Sequence, residues 1–200
     1  MIESVDALRE RYPTPSGRAV RKTLDRLDVH ARRFIGLAPF LVLATAGADG
    51  RADASPRGGA PGFVHVADDR TLWLPDASGN NRLDSLTNVA ETGRAGLLFL
   101  VPGVDETLRV NGTARLRDDA EALAPFADAR RPPRVVVEIT VEEAYLHCAK
   151  ALMRSRLWDP ASRQDRSVLP TMGEMLRDQV GGEGPVETQD DMVARYRKDL

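Results

Sequence analysis

The chain has 200 residues, 42% hydrophobic, 5% aromatic and 29% charged, with a formal net charge of −2. That length suits one domain with extra arms, and the near-neutral charge excludes general attraction to nucleic acid or to an anionic membrane. No apolar run approaches the ~20 residues that span a bilayer, the opening MIESVDALRERYPTP has no signal-peptide core, and the single Cys148 excludes an internal disulfide, so a reducing cytoplasm is expected.

In chain order, SVDALRERY reads as a helix with Ser4 as N-cap. SGRAVRKTLDRLDVHARRFIGLA reads as one longer helix, capped by Ser16 and stopped at Gly36, with Val20, Leu24, Leu27 and Phe34 on one face. FLVLATA, from Phe40, is rich in strand formers, GADG is a turn, and RADAS returns as a second strand. DASPRGGAPGF, from Asp53, carries two prolines and three glycines, which should end regular structure around Arg57. GFVHV and TLWLP form a second hairpin across ADDR. DASGNNRLDSLTNVAET is helical after its glycine, with Leu83, Leu86, Val89 and Ala90 on one face. RAGLLFLVPG reads as a buried strand and TLRVNGTARLR, from Thr107, as the longest half-exposed strand. DDAEALAPFA is a short helix and RVVVEITVEEAYLHC, from Arg134, a strong strand. AKALMRSRLW and a polar tail with two short helical patterns, TMGEMLRDQV and DDMVARYRKDL, complete the chain.

Six or seven short strands with turn signals and few helices indicate a mainly β fold, an antiparallel barrel or sandwich with flanking helices. The organisation expected is a helical segment over 1–36, a barrel over 37–158, and a helical tail over 159–200 that packs on the barrel or on a partner subunit.

Motifs for hydrolytic triads, nucleotide loops and metal sites are absent from the sequence, and the three histidines have no metal-ligand spacing. His65 and His147 lie in strands, where a satisfied histidine is the commoner state, and Cys148 reads as a small buried residue. Two loops stand out. Ser55, Pro56 and Arg57 end a strand before glycines that allow close approach to the backbone. PDASGNNRLDS, from Pro75, leads into a helix whose free N–H groups favour an anion, with Ser78, Asn80 and Asn81 as donors and Arg82 as a forked cation. Arg57 and Arg82 could converge on one phosphate, or both loops could be ordinary turns with arginines in solvent. Lys150 and Arg154 would share a helix face, as a third basic feature or as a solvated surface. Only three of the 28 basic residues are lysines, an arginine excess that fits a GC-rich bacterial genome.

Taken together, FLVLATAGADGRADASPRG, FVHVADDRTLWLPD, GNNRLDSLTN, RAGLLFLVPG, LRVNGTARL and HCAKALMRSRLW resemble the pyridoxamine 5'-phosphate oxidase-like flavoproteins, from about Leu24 to Asp159. The resemblance is to a bacterial subfamily rather than to the oxidase itself, whose carboxy-terminal substrate-binding region has no counterpart in VETQDDMVARYRKDL. It implies a split β-barrel, a homodimer and FMN bound between subunits. It places cofactor contacts on Asp53, Ala54, Ser55, Pro56 and Arg57, on Pro75 and Asp76, and on Asn81 and Arg82 for the phosphate, with Asn80 beside them. Thr107 replaces the family's glutamine, and Lys150, Arg154 and Ser155 would reach the flavin from the other subunit. The activity implied is that of an FMN-dependent oxidoreductase acting on a small molecule. A deazaflavin-dependent reductase and a non-catalytic haem- or flavin-binding barrel, with His65 or His147 as axial ligand, are the alternatives.

Overall fold

The computed structural model describes residues 1–77, 79–182 and 184–198. Its centre is one antiparallel sheet of seven strands: β1 (Phe40–Ala46), β2 (Ala52–Gly58), β3 (His65–Val66), β4 (Thr71–Pro75), β5 (Arg94–Leu100), β6 (Thr107–Arg117) and β7 (Val136–His147). The order across the sheet is β2-β1-β5-β6-β7-β4-β3. The architecture is the mainly β fold with flanking helices that a split barrel requires. β7, at 12 residues, outruns β6 at 11, so the longest strand is the last.

β1 alternates in burial along its length, the half-buried pattern of period two. Leu41 and Leu43 face inward and join Leu97, Phe99, Val110 and Ile139, all at most 1% exposed. Burying each such side chain stabilises the fold by about 1.5–3 kcal/mol. A bulge at Glu142 of β7, opposite Asn111 and Gly112 of β6, shifts the register of the two strands. A Cβ on Gly112 would lie 1.9 Å from the Thr140 carbonyl oxygen, so no other residue fits there.

Helices α1 (Val5–Arg9), α2 (Gly17–Arg21), α3 (Val29–Leu37), α4 (Asp84–Thr92), α5 (Ala120–Leu123), α6 (Lys150–Ser155), α7 (Met172–Val180) and α8 (Gln189–Arg197) surround the sheet. Ser4 and Ser16 cap α1 and α2. The long helix expected from residue 17 to 36 is broken in two, and Val20 is exposed. The reason is the free edge of β7. β4 pairs with β7 only as far as Thr140, and beyond it Leu24 exchanges two backbone hydrogen bonds with Ala144, at 3.0 and 2.8 Å. Satisfying that edge outweighs helix continuity, and Asp28 then caps α3 afresh.

Three further boundaries differ from the sequence reading. β2 runs on through Ser55, Pro56 and Arg57 to Gly58. It is an edge strand, where a proline's missing N–H is tolerated. β3 retains only two residues of GFVHV. α4 starts at Asp84, with Leu83 as its left-handed N-cap, so Leu83 and Ala90 are exposed while Ser85, Leu86 and Val89 are buried.

A second small core of Trp73, Ala122 and Val136, with Leu123 and Phe126 against it, covers one end of the sheet's outer face. In the tail, α7 carries a Thr171–Glu174 capping box. Residues 186–187 pass so close to Gly173 that a Cβ there would lie 2.4 Å from Val186.

Candidate functional site

The register of β2 on β1 sorts the expected cofactor contacts into two faces. Asp53, Ser55 and Arg57 stand opposite Thr45, Leu43 and Leu41, and directly opposed side chains share a face, so these three point inward. Ala54 and Pro56 stand opposite Ala44 and Val42 and point outward. The stretch read as a loop is therefore a strand with an inner polar row and an outer apolar row.

Arg57 is not a free cation. Its Nη1 donates to Asp76 Oδ1 at 2.8 Å, with the two side chains 20% and 23% exposed. Asp76 follows Pro75 at the end of β4, where its N–H donates to the Val135 carbonyl. β3 pairs only with Leu72 and Trp73, so the far end of β4 has no strand neighbour on that side, and the ion pair ties this end to edge strand β2. The Nε of Arg57 is buried with no hydrogen-bond partner.

The loop before α4 is built from local turns. Asn80 Oδ1 accepts from the Arg82 N–H at 3.1 Å, and Asn81 and Leu83 both have φ of 60°. No side chain caps the α4 N-terminus. Ser78, one of the donors expected in this loop, lies outside the described residues. Arg82 donates from Nε to Asp84 at 2.8 Å, while its side chain stays 72% exposed. That hydrogen bond and the Asp84 charge, with a smaller share from Asp53, raise its pKa further. Arg57 and Arg82 are held by different carboxylates, Asp76 and Asp84. Arg57 sits with Asp76, whereas Arg82 lies at the Asp53 end of β2, and four residues of strand span about 13 Å.

A polar network absent from the sequence reading holds α4 to the sheet. Ser85 donates to Asp53 Oδ2 at 2.5 Å, Thr45 reaches the same oxygen at 3.5 Å, and Asn88 donates to Thr45 at 3.0 Å. Ser85 and Thr45 are 3% and 7% exposed. The available signal was Ser85 and Asn88 spaced three apart on the helix face that carries Leu86 and Val89.

The outer face is legible row by row. Pro56, Val42, Leu98, Arg109 and Tyr145 form one row across five strands, and Ala54, Ala44, Gly96, Asn111 and Glu143 form the next. Small side chains in the second row leave a groove of about 630 Å³ between β1, β5, β6 and β7, flanked by Arg94 and Glu142. Thr107 opens β6 opposite His147 on this face. Lys150, Arg154 and Ser155 lie on α6, all exposed, with Ser155 donating to the Leu152 carbonyl. Trp158 anchors the segment after α6 by donating to the Val104 carbonyl at 2.9 Å. Cys148 is exposed, against the expectation of a buried thiol, because it follows the last residue of β7.

Among the described residues no cluster of His, Cys, Asp and Glu could hold a metal ion, and no helix is long and apolar enough to cross a membrane. The arrangement instead offers a flat apolar face with cations at its margins.

No curated protein matches the chain in sequence. Among solved structures, HupZ of Group A Streptococcus superposes with a TM-score of 0.51 at 18% identity, covering 60% of this chain and 99% of that one, which shows a shared fold. An FMN-binding protein of Syntrophomonas wolfei gives 0.46 at 14% identity, covering 59% and 84%. HutZ, the haem storage protein of Vibrio cholerae, gives 0.44 at 14%, covering 61% and 94%. The sequence profile described as pyridoxamine 5'-phosphate oxidase matches residues 27–148, from the end of the amino-terminal arm to the end of β7, and the chain belongs to that family.

Proposed function

We propose that the protein is an FMN-dependent oxidoreductase of a small molecule, working as a cytoplasmic homodimer with the flavin between subunits. The observation that carries this reading is the bare outer face of the sheet. Phe40 is 37% exposed, Ala44 and Ala46 are exposed, and Val42, Leu98 and Leu100 are only half-buried. A contiguous apolar patch on a folded chain marks a surface that something else covers.

The residues present fit a flat anionic cofactor. Small side chains at Ala44, Ala54 and Gly96 leave room on the face. Arg82 is exposed beside an uncapped helix start, which suits a phosphate, and its contact with Asp84 is a solvent-screened surface pair that is readily exchanged. Arg57 points inward, where its ion pair with Asp76 holds the end of the sheet beneath that face. In this reading Ala54, Pro56 and Thr107 border the ring and Asn80, Asn81 and Arg82 hold the phosphate. Pro75 and Asp76 fix Arg57, and Lys150, Arg154 and Ser155 approach from the partner. Asp53 and Ser55 face inward, and Asp53 acts by holding α4 through Ser85.

Flavin, once bound, supplies the redox chemistry, so no catalytic triad is required of the chain. The visible spectrum of the purified protein tests the proposal. The two-band spectrum of oxidised flavin is expected. A deazaflavin spectrum or a haem Soret band would replace it with one of the alternative cofactors, and a colourless protein that takes up no added FMN would overturn it.

A further inference from the structure

Beside the groove, on the same outer face, lies a cluster that the flavin assignment leaves unused. Tyr145 is ringed by cations and by a histidine. Arg109 donates from Nη1 to the Tyr145 hydroxyl at 3.1 Å, with its guanidinium carbon 5.7 Å from the ring centroid. Lys22, brought here because the amino-terminal arm pairs along the free edge of β7, has its Nζ 5.2 Å from the same centroid and donates to the Leu146 carbonyl at 2.6 Å. The ring of His147 stands 4.9 Å from that of Tyr145, and its Nε2 is buried without a hydrogen-bond partner.

Among the described residues neither Lys22 nor Arg109 makes an ion pair, although most other strand arginines do. Glu143, two residues before Tyr145 on β7, is engaged by the Asn111 amide at 3.0 Å. Burial, and then the positive fields of Arg109 and Lys22, hold the His147 pKa below its usual value. A buried nitrogen without a partner, close to two unpaired cations, is costly unless a ligand group fills the space.

We propose that Lys22, Arg109, Tyr145 and His147 form a binding subsite for the carboxylate or phosphate group of a small acidic substrate. Two cations and a hydroxyl supply the donors that such a group requires, and the imidazole adds a further N–H when an anion draws a proton onto it. Thr107, paired with His147 on β6, places the subsite next to the residue expected at the flavin. Calling the ligand a substrate rests on the flavin reading above, whereas anion binding by itself does not.

The test is a titration of the purified full chain, with whatever cofactor it carries, followed through the His147 ring resonances by NMR. His147→Gln identifies those signals among the three histidines. Inorganic phosphate is added in one arm and acetate in the other. At least one anion should shift the His147 signals saturably and raise the pKa of the imidazole, because a bound anion favours the charged ring. Lys22→Met and Arg109→Met should each weaken the response at least tenfold. Tyr145→Phe, which keeps the ring and its packing, should weaken it several-fold. Signals unmoved by either anion, or moved equally in Arg109→Met, would overturn the proposal. The visible spectrum of the same sample separates the two readings: flavin present with His147 silent removes only the subsite, and an anion response without flavin removes only the cofactor assignment.

Discussion

At the scale of single residues, the chemistry depends on which cations are already engaged. Arg57 and Asp76 are about four-fifths buried, so removing one partner leaves the other desolvated and alone. Asp76→Ala is expected to destabilise the protein by about 1–3 kcal/mol, less than a fully buried pair and more than a surface one. Urea unfolding of Asp76→Ala, Arg57→Met and the double variant measures this, and a double variant as destabilised as the two singles summed would show that the pair does not couple. Arg82 is the opposite case, exposed and exchangeable. Arg82→Ala should leave stability unchanged and weaken FMN binding about ten- to a hundredfold, the loss of one charge-assisted phosphate contact. Wild-type affinity by fluorescence titration would take the phosphate away from this loop. The type of each residue was legible in the sequence, but its partner was not. Asp76 and Arg57 are nineteen positions apart, and only the gap left by the two-residue β3 brings them together.

At the scale of elements, one network governs how the outer face is closed at its covered end. Glu138 on β7 accepts from Trp73 Nε1 at 3.0 Å, from Arg115 at 2.6 Å and from Arg117 at 2.7 Å. Arg117 also grips Asp119 and Glu121 at the start of α5. Burial alone would raise the Glu138 pKa, but hydrogen bonds from Arg117, Arg115 and Trp73 outweigh it and hold it below the ordinary value. Asp119 is held well below its ordinary range, chiefly by its hydrogen bond from Arg117. Carboxylates with folded pKa values below the unfolded ones contribute stability that is full above about pH 5 and is lost as pH falls through about 4 and below. The melting temperature should therefore fall on acidification across that window. Glu138→Gln should lower it at neutral pH, by about 3 kcal/mol of stability, and flatten the acid slope. An acid slope identical to wild type would exclude Glu138 as its source.

Most elements follow from alternation and turn chemistry: β1, β4, β5 and β6 lie where periodicity puts them, while β3 keeps only two residues of its run. Two of the misplaced ones share a cause. The break between α2 and α3 and the continuation of β2 through Pro56 are both decided by which sheet edge is free. Edges are a property of strand order, which no local pattern encodes. For the same reason Lys22, Arg109, Tyr145 and His147, drawn from three distant segments, could not be read as one cluster.

At the scale of the whole molecule, the sheet has one face packed and one face only partly covered. α3 and α4 contribute to the inner core, and α5 covers one end of the outer face. The rest, centred on Val42, Leu98 and Leu100, is open in the single chain. We expect two chains to meet there and the flavin to be enclosed as they do. Leu98→Glu places a charge in the middle of this face without touching the inner core, so it should leave the fold intact by circular dichroism while producing monomers that no longer retain FMN. A dimer that survives this change would put the interface elsewhere.

The claim that flavin binding and pairing of chains are one event is tested most directly by sedimentation velocity followed at the visible absorption band of flavin. All flavin absorbance is expected to sediment with a species of two chains, at one flavin per chain. Flavin sedimenting with a single chain, or remaining unbound while the protein sediments without it, would contradict the account.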